Sequence, residues 1–191
     1  MNKAIFIRHG ETDMAGRFCG HSDPDLNSAG ELQVLRVAEE VASLGVQRIY
    51  SSDLIRAART AVGIGQRIDV PVEFRKDLRE INFGLWEGLD WQEIEDRFPQ
   101  EASQWMKEFP LHSALRGESY ADFTARIDAA ILPMLVAEPE VTTAIVTHRG
   151  VIRYALTRFF GFSEDEASDM TAPYAAVVVA SVIPCECEVM S

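Results

Sequence analysis

Short unbroken apolar runs alternate along this chain with longer stretches in which apolar residues return every three or four positions. Ala4-Ile-Phe-Ile7 shows no polar alternation, the pattern of a strand covered on both faces. Val46–Tyr50, Pro71–Phe74, the β-branched Thr142–Thr147 and Ala175–Ile183 read as further strands. Leu32, Leu35, Val37, Ala38, Val41 and Leu44 follow the helical period. Ser28-Ala-Gly-Glu31 reads as a capping box before them, and Gly45 as the stop. Leu54, Ala57, Ala58, Ala61, Val62 and Ile64 mark a second helix behind Ser51-Ser52-Asp53. Trp91–Phe109 is helical with an interruption at Pro99. Another helix opens at Ser119-Tyr-Ala-Asp122 and runs towards Leu135, and one more spans about Gly150–Phe160. Strands alternating with helices predict an α/β fold, a three-layer α/β/α sandwich with a mostly parallel central sheet. We expect one domain over residues 1–191, with a helical insert at about 89–118 that carries specificity.

Composition narrows the function. A net charge of −12 argues against a nucleic-acid or membrane-surface binder, since both need a positive field. An anionic ligand would need a local arginine cluster inside an acidic envelope. The first apolar segment is too short for a signal peptide or a spanning helix. The three cysteines, Cys19, Cys185 and Cys187, are sparse and odd in number, which suits a reducing cytoplasm rather than a disulfide framework.

In doubly wound folds ligands sit outside the carboxyl ends of the strands. Those positions hold Arg8-His9-Gly10, Ser51-Ser52-Asp53 and His148-Arg149-Gly150. One histidine at a strand end reads as packing; two of the four, each beside Arg and Gly, read as a site. Arginine suits phosphate because its planar fork donates parallel hydrogen bonds to two oxygens. Arg8 adjoins His9, and Arg56 lies one turn into the second helix, whose N-terminus adds backbone N–H groups. Arg59 reads as a surface residue. Other phosphate chemistries lack their motifs: there is no Gly-Lys-Ser/Thr loop, no Gly-x-Ser-x-Gly elbow, and Asp25 rather than Arg stands six residues after Cys19. Histidine remains as the nucleophile, and flanking arginines favour its neutral, reactive form. A carboxylic acid in Leu78–Gly88 would protonate the leaving alcohol. Burying Phe83 and Trp86 would raise a nearby glutamate, but spacing does not separate Glu80 from Glu87.

Ile7–Thr12, Ser51–Ala57 with Thr60-Ala61, Leu78-Arg79-Glu80 through Glu87-Gly88, Gly117-Glu118-Ser119 and Val146-Thr147-His148 together resemble the histidine phosphatase superfamily, the phosphoglycerate-mutase-like proteins. The resemblance implies that His9 is the phosphohistidine and that Glu80, rather than Glu87, is the proton donor. It implies that Arg8, Arg56 and His148 hold the phosphoryl group, and that neither metal nor cofactor takes part. The substrate would be a small phosphate ester, with no nucleic-acid or membrane partner; oligomeric state is open. Many relatives carry Asn where this chain has Ala15. The short loop through Gly16-Arg-Phe-Cys19-Gly20-His21-Ser22-Asp23 is similar to the α-ribazole phosphatase branch. Phosphoglycerate mutase is the runner-up, set lower because long water-excluding insertions and a long tail are not evident. A non-catalytic phospholigand-binding module ranks below both.

Lesser features have plainer readings. His21 reads equally as a substrate contact or a solvated loop residue, and His112 as exposed. Glu11 reads as lining the entrance or as loop solubility, and Glu118 as approaching the substrate or as a helix-start carboxylate. Cys185-Glu-Cys187 reads as a tail in preference to a metal site, and Trp91 and Trp105 as helix packing over the site entrance in preference to a platform for a base-like substrate.

Overall fold

The computed structural model describes residues 3–108, 112–136 and 140–181. Five strands form one sheet: β1 (Lys3–Arg8), β2 (Arg48–Ser52), β3 (Val72–Arg75), β4 (Thr143–Thr147) and β5 (Val177–Ser181). Their order is β3-β2-β4-β1-β5, parallel except where β5 runs antiparallel to β1. The helices are α1 (Ser28–Ala42), α2 (Ile55–Ile68), α3 (Trp91–Arg97), α4 (Pro99–Glu108), α5 (Tyr120–Val136), α6 (Arg149–Phe160) and α7 (Glu164–Thr171).

The two-residue period of β1 explains the layers. Phe6 packs with Ile127 and Ile131 of α5 and with Ile152 of α6, on one face of the sheet. Ile5 and Ile7 point the other way, against Val37 and Val41 of α1 and Ile64 of α2. Ala4 to Ile7 are buried throughout, as the unbroken apolar run predicts. Because β1 and β4 are adjacent and parallel, with Arg8 opposite Thr147, the residues that follow them, His9 and His148, emerge side by side.

Several boundaries differ from the sequence reading. Asn27, not Ser28, caps α1: its side chain accepts from Gly30 N–H at 2.8 Å. The buried stripe of α1 is Val34, Val37, Ala38 and Val41, while Leu32 and Leu35 face solvent at 69% and 66% exposure. The shift follows from α1 packing on α2 with only one narrow face. The second strand runs two residues further than Tyr50, so Ser51 and Ser52 lie inside it, and α2 starts at Ile55 with its first N–H donated to Asp23 at 2.6 Å. Pro99 separates α3 from α4, as its missing N–H dictates. Helix α7, opened by a Ser163–Glu166 capping box, has too few buried positions for periodicity to reveal it. The last strand starts at Val177, because Ala175 adopts a left-handed φ of 53°. Residues 182–183 of the expected strand, Phe109 of the expected helix, and Cys185 and Cys187 lie outside the described residues. Among the described residues no helix is long and apolar enough to cross a membrane.

Candidate active site

His9 is fixed on three sides. Its backbone N–H donates to Thr147 O at 3.0 Å, and its carbonyl accepts from Ala175 N–H at 3.1 Å, so the left-handed Ala175 turn closes over the strand end. The next residue, Gly10, donates to Thr60 Oγ1 at 3.0 Å and passes so close to Gly30 that a side chain there would collide with backbone. The imidazole Nδ1 lies 2.7 Å from Gly10 O, a carbonyl that can only accept, so Nδ1 carries the proton. Nε2 therefore keeps its lone pair, and Arg56 Nε–H donates to it at 3.3 Å. Burial, then the Arg56 charge, holds the His9 pKa well below the ordinary histidine value. The ring is neutral, with one nucleophilic nitrogen.

His148 stands beside it, ring centroids 5.1 Å apart. Burial, followed by the charge of Arg56, also depresses its pKa strongly. Nε2 lies 2.9 Å from Ser52 Oγ, which also accepts Leu54 N–H at 3.3 Å. Nδ1 is buried and without a hydrogen-bond partner among the described residues. In the tautomer with the proton on Nδ1, the Ser52 hydroxyl donates to Nε2, and a phosphoryl oxygen would satisfy the Nδ1–H.

Arg56 is fully buried. Its terminal nitrogens donate to the carbonyls of Ser22, Cys19 and Gly20 at 2.7, 3.2 and 2.8 Å, so it braces the 19–22 loop as well as facing His9. Arg8 stacks on Tyr174, 4.0 Å from the ring centroid, and donates to the carbonyls of Thr171 and Ala172, while its Nε is buried without a partner. Arg59 pairs with Asp25 and Glu31 at the surface, as expected.

Glu80 and Glu87 separate cleanly. Glu80 is buried, its oxygens accepting from Gly150 N–H at 2.9 Å and Ile81 N–H at 3.1 Å. Burial raises its pKa against the pull of those N–H groups and of Arg56 and Arg8. Glu87 accepts from the backbone of Gly20, His21, Ser22 and Phe83 at 2.8–3.1 Å. Burial works to raise its pKa, but the hydrogen bonds, led by those from Ser22, prevail and hold it below the ordinary value. The fold therefore biases Glu80 towards its protonated form and Glu87 towards its ionised one.

Two chambers of about 300 and 290 Å³ share the walls Phe18, Phe83 and Arg149. The first contains Arg8, His9 and Tyr174. The second contains Glu80, and its aromatic walls include Trp105, Tyr120, Phe123 and Tyr154. Trp86 and Trp91 support these walls from behind, packed with Phe18 and Trp105.

The structure corrects some minor readings. His21 is half-buried and pinned in the loop: Nε2 donates to Glu80 O at 3.1 Å and Nδ1 accepts from Asn82 at 3.3 Å. His112 is half-buried and lines the second chamber rather than lying exposed. Glu118 forms an ion pair with Arg126, which donates to the carbonyls of Asp77 and Arg79 at 2.9 Å and so holds the backbone leading to Glu80. Glu11 accepts from Asn27 at 3.1 Å. Sequence reasoning gave no role to Ser52, Tyr174 or Arg126. Ser52 was visible as a strand-end residue, whereas Tyr174 and Arg126 arrive from remote elements that leave no local signature. Among the described residues there is no group of three or more His, Cys, Asp or Glu that could hold a metal ion.

A profile of the histidine phosphatase superfamily (branch 1) matches residues 4–191. The chain belongs to that superfamily, and it is a phosphatase-type hydrolase. It is 29% identical over 178 residues to "Phosphoserine phosphatase 1" of Hydrogenobacter thermophilus, covering 88% of this chain and 84% of that one. It is 32% identical over 155 residues to "Glucosyl-3-phosphoglycerate phosphatase" of Mycobacterium tuberculosis, covering 80% and 69%. The chain spans 39% of the length of a longer relative, the 6-phosphofructo-2-kinase/fructose-2,6-bisphosphatase of Gallus gallus. The fold superimposes on the α-ribazole phosphatase of Shigella flexneri with a TM-score of 0.85 and 22% identity, over 95% of this chain and 91% of that one.

Proposed function

We propose that this protein is a phosphomonoesterase that works through phosphorylated His9, with Glu80 as proton donor and Arg8, Arg56 and His148 holding the phosphoryl group. The observation that carries the reading is the pairing of His9, its Nε2 unprotonated and its pKa depressed, with a buried Glu80 whose pKa is raised. His9 Nε2 attacks phosphorus, the phosphorus–oxygen bond to the alcohol breaks, and Glu80 gives its proton to the departing oxygen. Water then attacks phospho-His9 while Glu80, now a carboxylate, takes a proton from it. The nitrogen–phosphorus bond breaks and inorganic phosphate leaves. His148 Nδ1–H and the two arginines face charge that grows on the non-bridging oxygens.

The leaving alcohol occupies the second chamber, since that is where Glu80 lies. The insert at about 89–118 supplies Trp105, His112 and Glu118 to it and so sets specificity within a single domain. Its aromatic walls and the short 16–23 loop support α-ribazole 5'-phosphate as the natural ester, a small molecule of the cytoplasm. Incubation with substrate should give an acid-labile phosphoenzyme. His9→Ala should abolish both label and turnover; a fully active variant would refute the mechanism. A panel of α-ribazole phosphate, phosphoserine, 3-phosphoglycerate and an aryl phosphate ranks the esters. Isomerisation of 3-phosphoglycerate faster than phosphate release would reassign the protein as a mutase.

A further inference from the structure

Arg149 occupies an unfavourable place for a cation. It is the first residue of α6, at the positive end of the helix dipole, and that first turn contains no acidic residue. It lies near enough to Arg8 to help depress the Arg8 pKa, after burial. It is exposed, yet forms no ion pair among the described residues; its guanidinium donates only to Ser168, at 3.1 Å to Oγ and 3.5 Å to the carbonyl. Two other arginines of the chambers are neutralised: the exposed Arg17 by Glu93 at 2.6 Å and the half-buried Arg153 by Glu164 at 3.0 Å.

Meanwhile the two arginines nearest the nucleophile are heavily committed. Arg56 uses its nitrogens on Ser22, Cys19, Gly20 and His9, and Arg8 uses one on Thr171 and Ala172. Ala15, exposed in the turn beside the first chamber, has no side-chain donor to add. A phosphoryl group presents three oxygens, and the described donors left for them are few. Arg149 is the cation on the shared wall of both chambers whose charge no carboxylate offsets.

We infer that Arg149 is a further phosphate-binding residue, its guanidinium turning from Ser168 to grip the non-bridging oxygens of the ester and then of phospho-His9. The inference rests on the phosphohistidine reading for its catalytic consequence, but its binding consequence is independent of turnover. Repulsion from the helix end and from Arg8 strains the ligand-free protein, and a dianion relieves it. Two properties should therefore move in opposite directions when the charge is removed.

The test uses the full chain with Arg149→Ala and Arg149→Lys. Melting is followed with and without inorganic phosphate, and kcat/KM is measured on an aryl phosphate, phosphoserine and 3-phosphoglycerate. Arg149→Ala should melt no lower than wild type without phosphate, yet lose most of the phosphate-induced rise in melting temperature. Its kcat/KM should fall by roughly 10- to 100-fold, and by a similar factor on every ester, the loss typical of one charge-assisted hydrogen bond. Arg149→Lys should recover part of both. An undiminished phosphate-induced rise would overturn the inference. So would a loss confined to the carboxylate-bearing esters, which would make Arg149 a reader of the alcohol. The melting comparison decides even if wild type hydrolyses none of the three, so failure of the enzyme reading is told apart from failure of this one.

Discussion

The loop from Arg79 to Gly88 has two ends with opposite chemistry. At one end Glu80 meets the backbone N–H groups of Gly150 and Ile81, and burial raises its pKa. At the other, Glu87 meets four backbone N–H groups of the 18–22 and 83 segments, and its pKa is depressed. Glu80 is buried and Glu87 only half-buried, and Glu87 has four N–H donors against two. Deeper burial with fewer donors raises one carboxyl; shallower burial with more donors lowers the other. The fold thus biases two glutamates seven residues apart in opposite directions.

Removing the acid should have the largest effect. Glu80→Gln mimics the protonated form, so the fold should persist by circular dichroism. Turnover of alkyl phosphates should still fall roughly 10²- to 10⁴-fold, and much less for an aryl ester whose leaving group needs no proton. The pH profile sharpens the point. Because the Glu80 pKa is raised, activity on alkyl esters should persist above the ordinary carboxylate range and fall as pH climbs through the raised value. Because the His9 pKa is lowered, the acid limb should lie well below the ordinary histidine value. Glu80→Gln should flatten the alkaline limb alone; an unchanged limb would assign the acid elsewhere.

Displacing the acid should come next. A Cβ on Gly150 would press on the Glu80 carboxylate, so Gly150→Ala should lower kcat on the order of 10²-fold through misplacement, with little change in phosphate binding. Equal losses in both would mean that Gly150 matters to the pocket as a whole. The smallest effect on chemistry should come from Glu87→Gln, which leaves backbone donors unsatisfied. We expect a stability loss of about 1–3 kcal/mol by denaturant titration. The sign with pH follows from the depressed pKa: the stability Glu87 supplies is complete above its ordinary value and is lost as pH falls through the lower, folded one. The variant should therefore approach wild type in acid.

Much of this site was legible because it sits where the backbone period forces it. Ala4–Ile7 could only be a covered strand, and its end had to present Arg8 and His9; Thr142–Thr147 did the same for His148. Glu80 needed the family resemblance, because the feature that distinguishes it from Glu87, the direction of nearby N–H groups, is tertiary. The exposed Leu32 and Leu35 show the limit of periodicity: their spacing fits a buried stripe, but α2 covers only the neighbouring one. Helix α7 and Tyr174 were hidden for a related reason. Capping and one ring over Arg8, rather than an apolar repeat, fix their places.

The adjacency of β1 and β4 has an engineering consequence. The two histidines inherit their spacing from a hydrogen-bonded ladder, whose pitch of about 4.8 Å is common to all sheets and indifferent to side chains. The aromatic chamber draws much of its wall instead from the helices and turns between Gly84 and Tyr120. On the proposed roles, reaction and recognition are written in separable parts of the chain. A graft that exchanges residues 89–117 for those of a relative, keeping Glu118 and its pairing with Arg126, should transplant substrate preference while leaving the phosphoryl-transfer apparatus in register.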